Sequence, residues 1–157
     1  MRNPIGYLRS WRPPENKMRK FRKPRFAVDA VIINDSGKKV LLIRRGHEPH
    51  KGMWALPGGL FDRNETTEEA VVREAKEETN IDVEVRGLIG VYSGPGRDPR
   101  GPNVAVAYLC KKLKGRAKGG DDAAEAKWFN RIKRSELAFD HAQILEDGLR
   151  LYSTLEG

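Results

Sequence analysis

Apolar positions in residues 26–33 (Phe-Ala-Val-Asp-Ala-Val-Ile-Ile) form a nearly unbroken run, and this predicts a buried strand. Asn34, Asp35, Ser36 and Gly37 then read as a turn, and residues 39–45 as a second strand. Residues 46–52 read as a loop carrying His47, Pro49 and His50. Thr66, with Glu69 three positions on, has the form of a capping box and opens a helix running to about Thr79. Residues 81–92 predict a strand bent near Gly87 and Gly90. A Gly/Pro/Arg-rich loop over 93–102 leads into a strong strand over 103–112. Residues 114–122 read as a flexible basic loop that turns acidic, and 126–129 as a short strand with Trp128 and Phe129 in the core. Ile144, Leu145, Leu149 and Tyr152 fall at helical spacing, predicting a helix over 141–154 with Asp140 as N-cap. Strands of this kind with two main helices predict an α/β sandwich of the α+β type. No internal repeat or second compact domain is visible.

Composition narrows the picture. A chain of 157 residues suits one domain with a substantial core. No apolar run is long enough to span a membrane, and the N-terminus lacks the apolar stretch of a secretory signal. Cys110 is the single cysteine, so no internal disulfide can form; its apolar neighbours predict a buried thiol without nucleophilic use. A cytoplasmic protein without membrane contact is expected. The net charge of +8 is concentrated at the start: residues 1–26 hold nine Lys/Arg against Glu15, and the rest is balanced at 21 bases and 21 acids. Residues 1–25 therefore read as a basic arm and 26–157 as the folded domain. The arm suits an anionic partner such as a nucleotide phosphate or RNA, or it is a solvated tail. Tyr7, Trp11 and Phe21 favour stacking on a base or docking on a second subunit. A Pro-containing, Ser-poor start argues against a transit peptide.

The candidate chemistry lies between Gly58 and Ile81. Gly58-Gly59 is followed by Glu65, Arg73, Glu74, Glu77 and Glu78. On a helix, Glu74, Glu77 and Glu78 share one face, where bare carboxylates repel each other. A hard cation such as Mg2+ removes that conflict. Taken alone, the helix also fits a solvated face with an Arg73–Glu77 pair.

The whole segment, with the approach Lys51-Gly52-Met53-Trp54-Ala55-Leu56-Pro57, resembles the Nudix box of the Nudix hydrolases, which cleave nucleoside diphosphates linked to another moiety. Two positions depart from the pattern. Asn80 stands where Gly is usual, and Ala75 where a larger aliphatic is usual. Asn is the next best residue for a left-handed helix cap, so the first change is mild. The resemblance implies a mixed sheet between helices, a homodimer and dependence on Mg2+ or Mn2+. It implies Glu74, Glu77, Glu78 and the Gly58 carbonyl as metal ligands, and Glu74, Glu77 and Arg73 as the catalytic set. Arg73 would orient the carboxylates and Glu65 would support them. Gly59 would let the backbone approach substrate closely. The general base is either Glu74 or a loop acid among Asp121, Asp122 and Glu125.

The loop over 93–101 holds Arg97, Asp98 and Arg100. Arginine forks match phosphate oxygens, although an Arg–Asp pair could equally hold a turn. This run, and Leu137-Ala138-Phe139-Asp140-His141 ahead of the last helix, are similar to the ADP-ribose pyrophosphatase branch. The implied activity is hydrolysis of ADP-ribose to AMP and ribose 5-phosphate, with Arg97, Asp98, Arg100 and Gly59 at the substrate. Two alternatives remain: a nucleoside triphosphate or dinucleoside polyphosphate pyrophosphohydrolase, and a non-catalytic nucleotide- or RNA-binding module. His47, His50 and His141 share no metal-ligand spacing.

Overall fold

A computed structural model of the protein describes residues 23–120 and 123–157. The expectations for the arm, with Tyr7, Trp11 and Phe21, and for Asp121 and Asp122 fall outside those residues. The elements are β1 (Arg25–Ile33), β2 (Val40–Arg45), β3 (Trp54–Ala55), β4 (Gly58–Leu60), α1 (Thr67–Thr79), β5 (Asp82–Tyr92), β6 (Asn103–Lys114), β7 (Ala123–Phe129) and α2 (His141–Glu156). A short 3-10 turn over Arg134–Glu136 precedes α2. The strands form one mixed sheet in the order β3-β2-β1-β6-β5, with β4 also pairing β1 and β7 pairing β2.

β1 is central, and its apolar run follows from that position. It pairs parallel with β6 along its whole length, from Arg25 opposite Asn103 to Ile33 opposite Lys111. Parallel strands covered on both faces read as continuous apolar runs. Val28, Ala30 and Ile32 pack with Ala70, Val71 and Ala75 of α1. Val31 and Ile33 face the other way, toward Ile144 and Leu145 of α2. The chain is therefore a sheet between two helices, as expected. Ala75 is fully buried against the sheet. At Gly148 of α2, an added Cβ would sit 2.9 Å from Val31 and Ile89, so glycine lets this helix approach the sheet closely.

Both ends of α1 form as their residues dictate. The Thr66 hydroxyl accepts from the Glu69 N–H, and the Glu69 carboxylate accepts from the Thr66 N–H. Asn80 caps the C-terminus at φ 62°, the left-handed conformation for which Asn is suited. The bends in β5 appear as register shifts between Val85 and Gly87 and between Leu88 and Gly90. Cys110 is fully buried, and burial pushes its thiol up to about 12, which removes it as a nucleophile at neutral pH.

Several expectations are corrected. β6 runs on to Lys114, and β7 begins at Ala123 because pairing with β2 continues to Arg45. Strands β3 and β4 are too short to show a period, yet both pair in the sheet. Trp128 and Phe129 are half-buried, at the edge of the core. Asp140 is the N-cap residue of α2, as expected, but its side chain does not cap the helix, because Arg97 takes the carboxylate. Arg25, counted with the basic arm, is the first residue of β1. No described helix is long and apolar enough to cross a membrane.

Replacing Thr66 by Ala removes one half of the capping box. Stability should fall by about 1 kcal/mol, seen as a lower urea midpoint with an unchanged slope.

Candidate active site

β4 lays Gly58 opposite Asp29 of β1, and this pairing holds the glycine pair against α1. The Gly58 N–H donates to Glu78 Oε2 at 3.1 Å. A Cβ on Gly58 would lie 2.1 Å from the Val28 carbonyl oxygen, and one on Gly59 would lie 2.7 Å from the Glu74 carboxylate. Both contacts are closer than carbon tolerates, so glycine at 58 lets β4 lie close on β1 and glycine at 59 lets the Glu74 carboxylate approach the backbone.

Arg73 organises the rest of the acidic face. Its Nε and Nη2 donate to the two oxygens of Glu65 at 2.9 and 2.6 Å. Its Nη1 donates to Glu74 at 2.8 Å and to Glu77 at 3.0 Å, and Nη2 also reaches the Leu60 carbonyl at 3.2 Å. The Arg73 hydrogen bonds, with the Asp62 N–H, hold the Glu65 carboxyl down at about 2. Burial pushes the Glu74 carboxyl up, and Arg73 opposes it only in part. Glu78 is buried. Glu77 turns outward and is more than half exposed.

Among the described residues, no three acidic, His or Cys side chains already converge on one point. The donor set nevertheless suits a hard divalent cation. Glu74 and Glu78 supply carboxylate oxygens on either side of a backbone that leaves no room for a Cβ.

A cleft of about 300 Å³ opens beside this edge, bounded by Gly58, Gly59 and Glu78 on one side and by the loop after β5 on the other. The expected phosphate forks are arranged differently from a free pair. The Arg97 side chain is buried: its Nε and Nη2 donate to Asp140 at 2.9 and 2.7 Å, and its Nη1 donates to Asn103. Arg100 donates through Nε and Nη2 to Asp98 at 3.1 and 2.9 Å, and is partly exposed. Asp98 also takes Arg25 at 2.9 Å. Burial pushes the Asp98 carboxyl up, but Arg100 and Arg25 outweigh it and hold it below its usual range. The Arg–Asp turn and the cleft wall are thus one structure.

Glu125 is not on a mobile loop. It stands within β7, 3.8 Å from Arg44, and does not line the cleft, because the sheet pairing reaches it.

Two cleft residues, Arg45 and Asp29, were given no role by the sequence reading. Arg45 donates through Nε to the Pro49 carbonyl at 2.7 Å, and its guanidinium lies 4.8 Å from the Phe139 ring centre. Burial and the nearby Arg100 charge lower its pKa. Arg100 lies 5.8 Å from the same ring. Phe139 takes φ 53° and His50 φ 61°, and their rings meet at 4.7 Å. A bulky residue in that region is strained, so packing must hold it there. His141 is buried; its Nδ1 accepts the Leu56 N–H at 3.0 Å and burial lowers its pKa. Asp29, a lone acid in an apolar strand, faces the same cleft. That break in the apolar pattern was the one available signal.

The NUDIX domain profile matches residues 23–148. An ADP-ribose pyrophosphatase of Methanocaldococcus jannaschii is 47% identical over 134 residues, covering 85% of this chain and 78% of that protein. The ADPR responsive transcriptional repressor NtrR of Acinetobacter baylyi is 31% identical over 130 residues, covering 78% of this chain and 52% of the repressor. Among solved structures, the NUDIX domain of Shewanella oneidensis NrtR complexed with ADP ribose superposes with a TM-score of 0.71 at 27% identity, covering 96% and 99% of the two chains. A bifunctional NMN adenylyltransferase/ADP ribose pyrophosphatase from Francisella tularensis, complexed with AMP and Mn ion, gives 0.75 at 28% identity over 84% of this chain and 43% of that one.

The low Glu65 pKa has a stability consequence. A carboxyl held below its unfolded value stabilises the fold above that value, and the contribution is lost as pH falls toward about 2. Glu65→Gln should therefore flatten the fall in stability between about pH 4.5 and 2, measured by denaturation across that window.

Proposed function

The chain belongs to the NUDIX family, and from that premise we propose that it hydrolyses the diphosphate of ADP-ribose, releasing AMP and ribose 5-phosphate. The observation that carries this is the cleft itself. One edge is the Gly58–Gly59 backbone with Glu78, Glu74 packs against Gly59 next to it, and the other wall bears guanidinium groups. A diphosphate needs that pairing, because its own negative charge repels an attacking water.

Glu74, Glu78 and the Gly58 carbonyl are the proposed cation ligands, with Glu77 completing the set from the exposed side. When bound, Mg2+ or Mn2+ offsets charge on the phosphate oxygens and activates water. The Mn ion in the Francisella neighbour supports a divalent cation, and Mg2+ is the ion proposed here. Arg73 keeps Glu74 and Glu77 in position through charge-assisted hydrogen bonds. Glu74, half-buried against Gly59, is the proposed proton acceptor. Glu125 lies within β7 and does not line the cleft, and Asp121 and Asp122 are the loop rivals. Arg45 and the exposed side of Arg100 are the proposed phosphate contacts. Arg97 and Asp98 act behind them, holding the wall in place.

Family likeness also supports a homodimer, and one buried free thiol suits a reducing, cytoplasmic setting. The basic arm is left with the role of attracting an anionic partner. The repressor relative keeps a ligand-sensing module as the competing reading.

The deciding experiment is a hydrolysis screen of ADP-ribose, nucleotide sugars, dinucleotides and nucleoside triphosphates with Mg2+, with EDTA as control. Preference for ADP-ribose, lost with EDTA, is expected. A folded protein that binds ADP-ribose but turns over nothing would move the assignment to the sensing module. Glu74→Gln should lower kcat by about two to four orders of magnitude, the scale of a lost general base. Glu78→Gln should abolish the metal-dependent rate with an unchanged circular dichroism spectrum. Arg100→Ala should act chiefly on KM.

A further inference from the structure

The proposed hydrolysis uses the glycine edge, α1 and the arginine wall, but assigns nothing to Asp29. This residue is 7% exposed and its side chain faces the cleft. Its Oδ1 lies 3.7 Å from His141 Nε2, and its Oδ2 lies 4.0 Å from Arg97 Nη2. Both distances exceed hydrogen-bond length. Arg97 does not depend on it, while the proton-bearing Nε2 of His141 faces it from beyond hydrogen-bond reach. Arg97 is already matched by both oxygens of Asp140 and by Asn103. His141 uses Nδ1 to accept the Leu56 N–H, which leaves the Nε2 side toward Asp29. Among the described residues, no group donates a hydrogen bond to the Asp29 carboxylate.

No described side-chain oxygen is sealed from solvent without a partner, so the Asp29 carboxylate, which has no protein donor, opens into the cleft. Such a group persists where its donors arrive from outside the protein. Its position restricts what they can be. Asp29 sits opposite Gly58 in the β1–β4 register, in a cleft that Glu48, Glu78 and Asp98 line as well as four arginines. A phosphate placed there would meet like charge. A neighbouring pair of hydroxyls would not, because each can donate to one carboxylate oxygen.

We propose that Asp29 receives the vicinal hydroxyls of a substrate ribose and so selects a ribosylated diphosphate over one without the diol. This rests on the reading of the protein as an ADP-ribose hydrolase. The pairing is the same chemistry by which an acidic side chain holds ribose in dinucleotide sites. Asp29 is a specificity residue in this role and takes no part in bond cleavage.

The test compares kcat/KM for ADP-ribose, for an analogue with an alkyl chain in place of the terminal ribose, and for an analogue with 2′,3′-dideoxyadenosine. Wild type, Asp29→Asn and Asp29→Ala are measured on all three. The wild type should disfavour one analogue by roughly 10- to 100-fold, the scale of a lost hydrogen bond to a charged group. Which analogue is disfavoured identifies the ribose. That preference should narrow at least tenfold in Asp29→Ala, through KM for ADP-ribose, with the near-isosteric Asp29→Asn intermediate. Equal wild-type rates on all three compounds would overturn the proposal without any variant. So would variants that slow every substrate together and keep the wild-type preference, since that marks a structural role. Calorimetric affinities for the same compounds separate the two readings. Preference in Kd without turnover would sink the hydrolase and keep Asp29, whereas equal affinities would sink Asp29.

Discussion

Arg73 is the interaction on which the acidic site depends. Glu65, Glu74 and Glu77 would repel one another without a cation among them, and a single planar guanidinium meets all three. The same group reaches the Leu60 carbonyl, so it also ties α1 to the end of β4. Lysine could supply the charge but not the geometry, because its ammonium lacks a rigid fork of donors. Glu78 is held separately by the Gly58 N–H. The result is a helix whose acidic face is pinned against a glycine backbone before any metal arrives.

The opposite wall is built by the same rule with the signs reversed. Asp98 and Asp140 are the anchors, and Arg25, Arg97 and Arg100 are drawn onto them. These pairs fasten the loop after β5 to the start of β1 and to the start of α2. A loop rich in Gly and Pro thereby gains a defined position from charge pairing rather than from apolar burial. Arg45 contributes from the end of β2 and is held over the Phe139 ring. The strained backbone at Phe139 and His50 lies in this same cluster.

Much of the fold was legible because its signals are local. The Thr66–Glu69 box, the Asn80 cap and the bends at Gly87 and Gly90 each depend on a few neighbouring residues. The carboxylate spacing on α1 is equally local, since one helix places Glu74, Glu77 and Glu78 on one side. Strands β3 and β4 were not legible, because two or three residues carry no period. The start of β7 was missed because pairing with β2, not its own composition, extends it to Ala123.

The chain by itself therefore determined the sandwich, the helix limits and the acidic face, all set by backbone preference and short-range spacing. Tertiary structure alone decided who faces whom. Asp140 has the chemistry of a helix cap, yet Arg97, 43 positions away, claims its carboxylate. Glu125 has the chemistry of a loop base, yet the sheet carries it away from the cleft. Asp29 and His141 meet across more than a hundred residues only because β1 and α2 pack together. Long-range charge pairing is a property of the closed fold, because an unfolded chain screens those groups in water and imposes no partner on them.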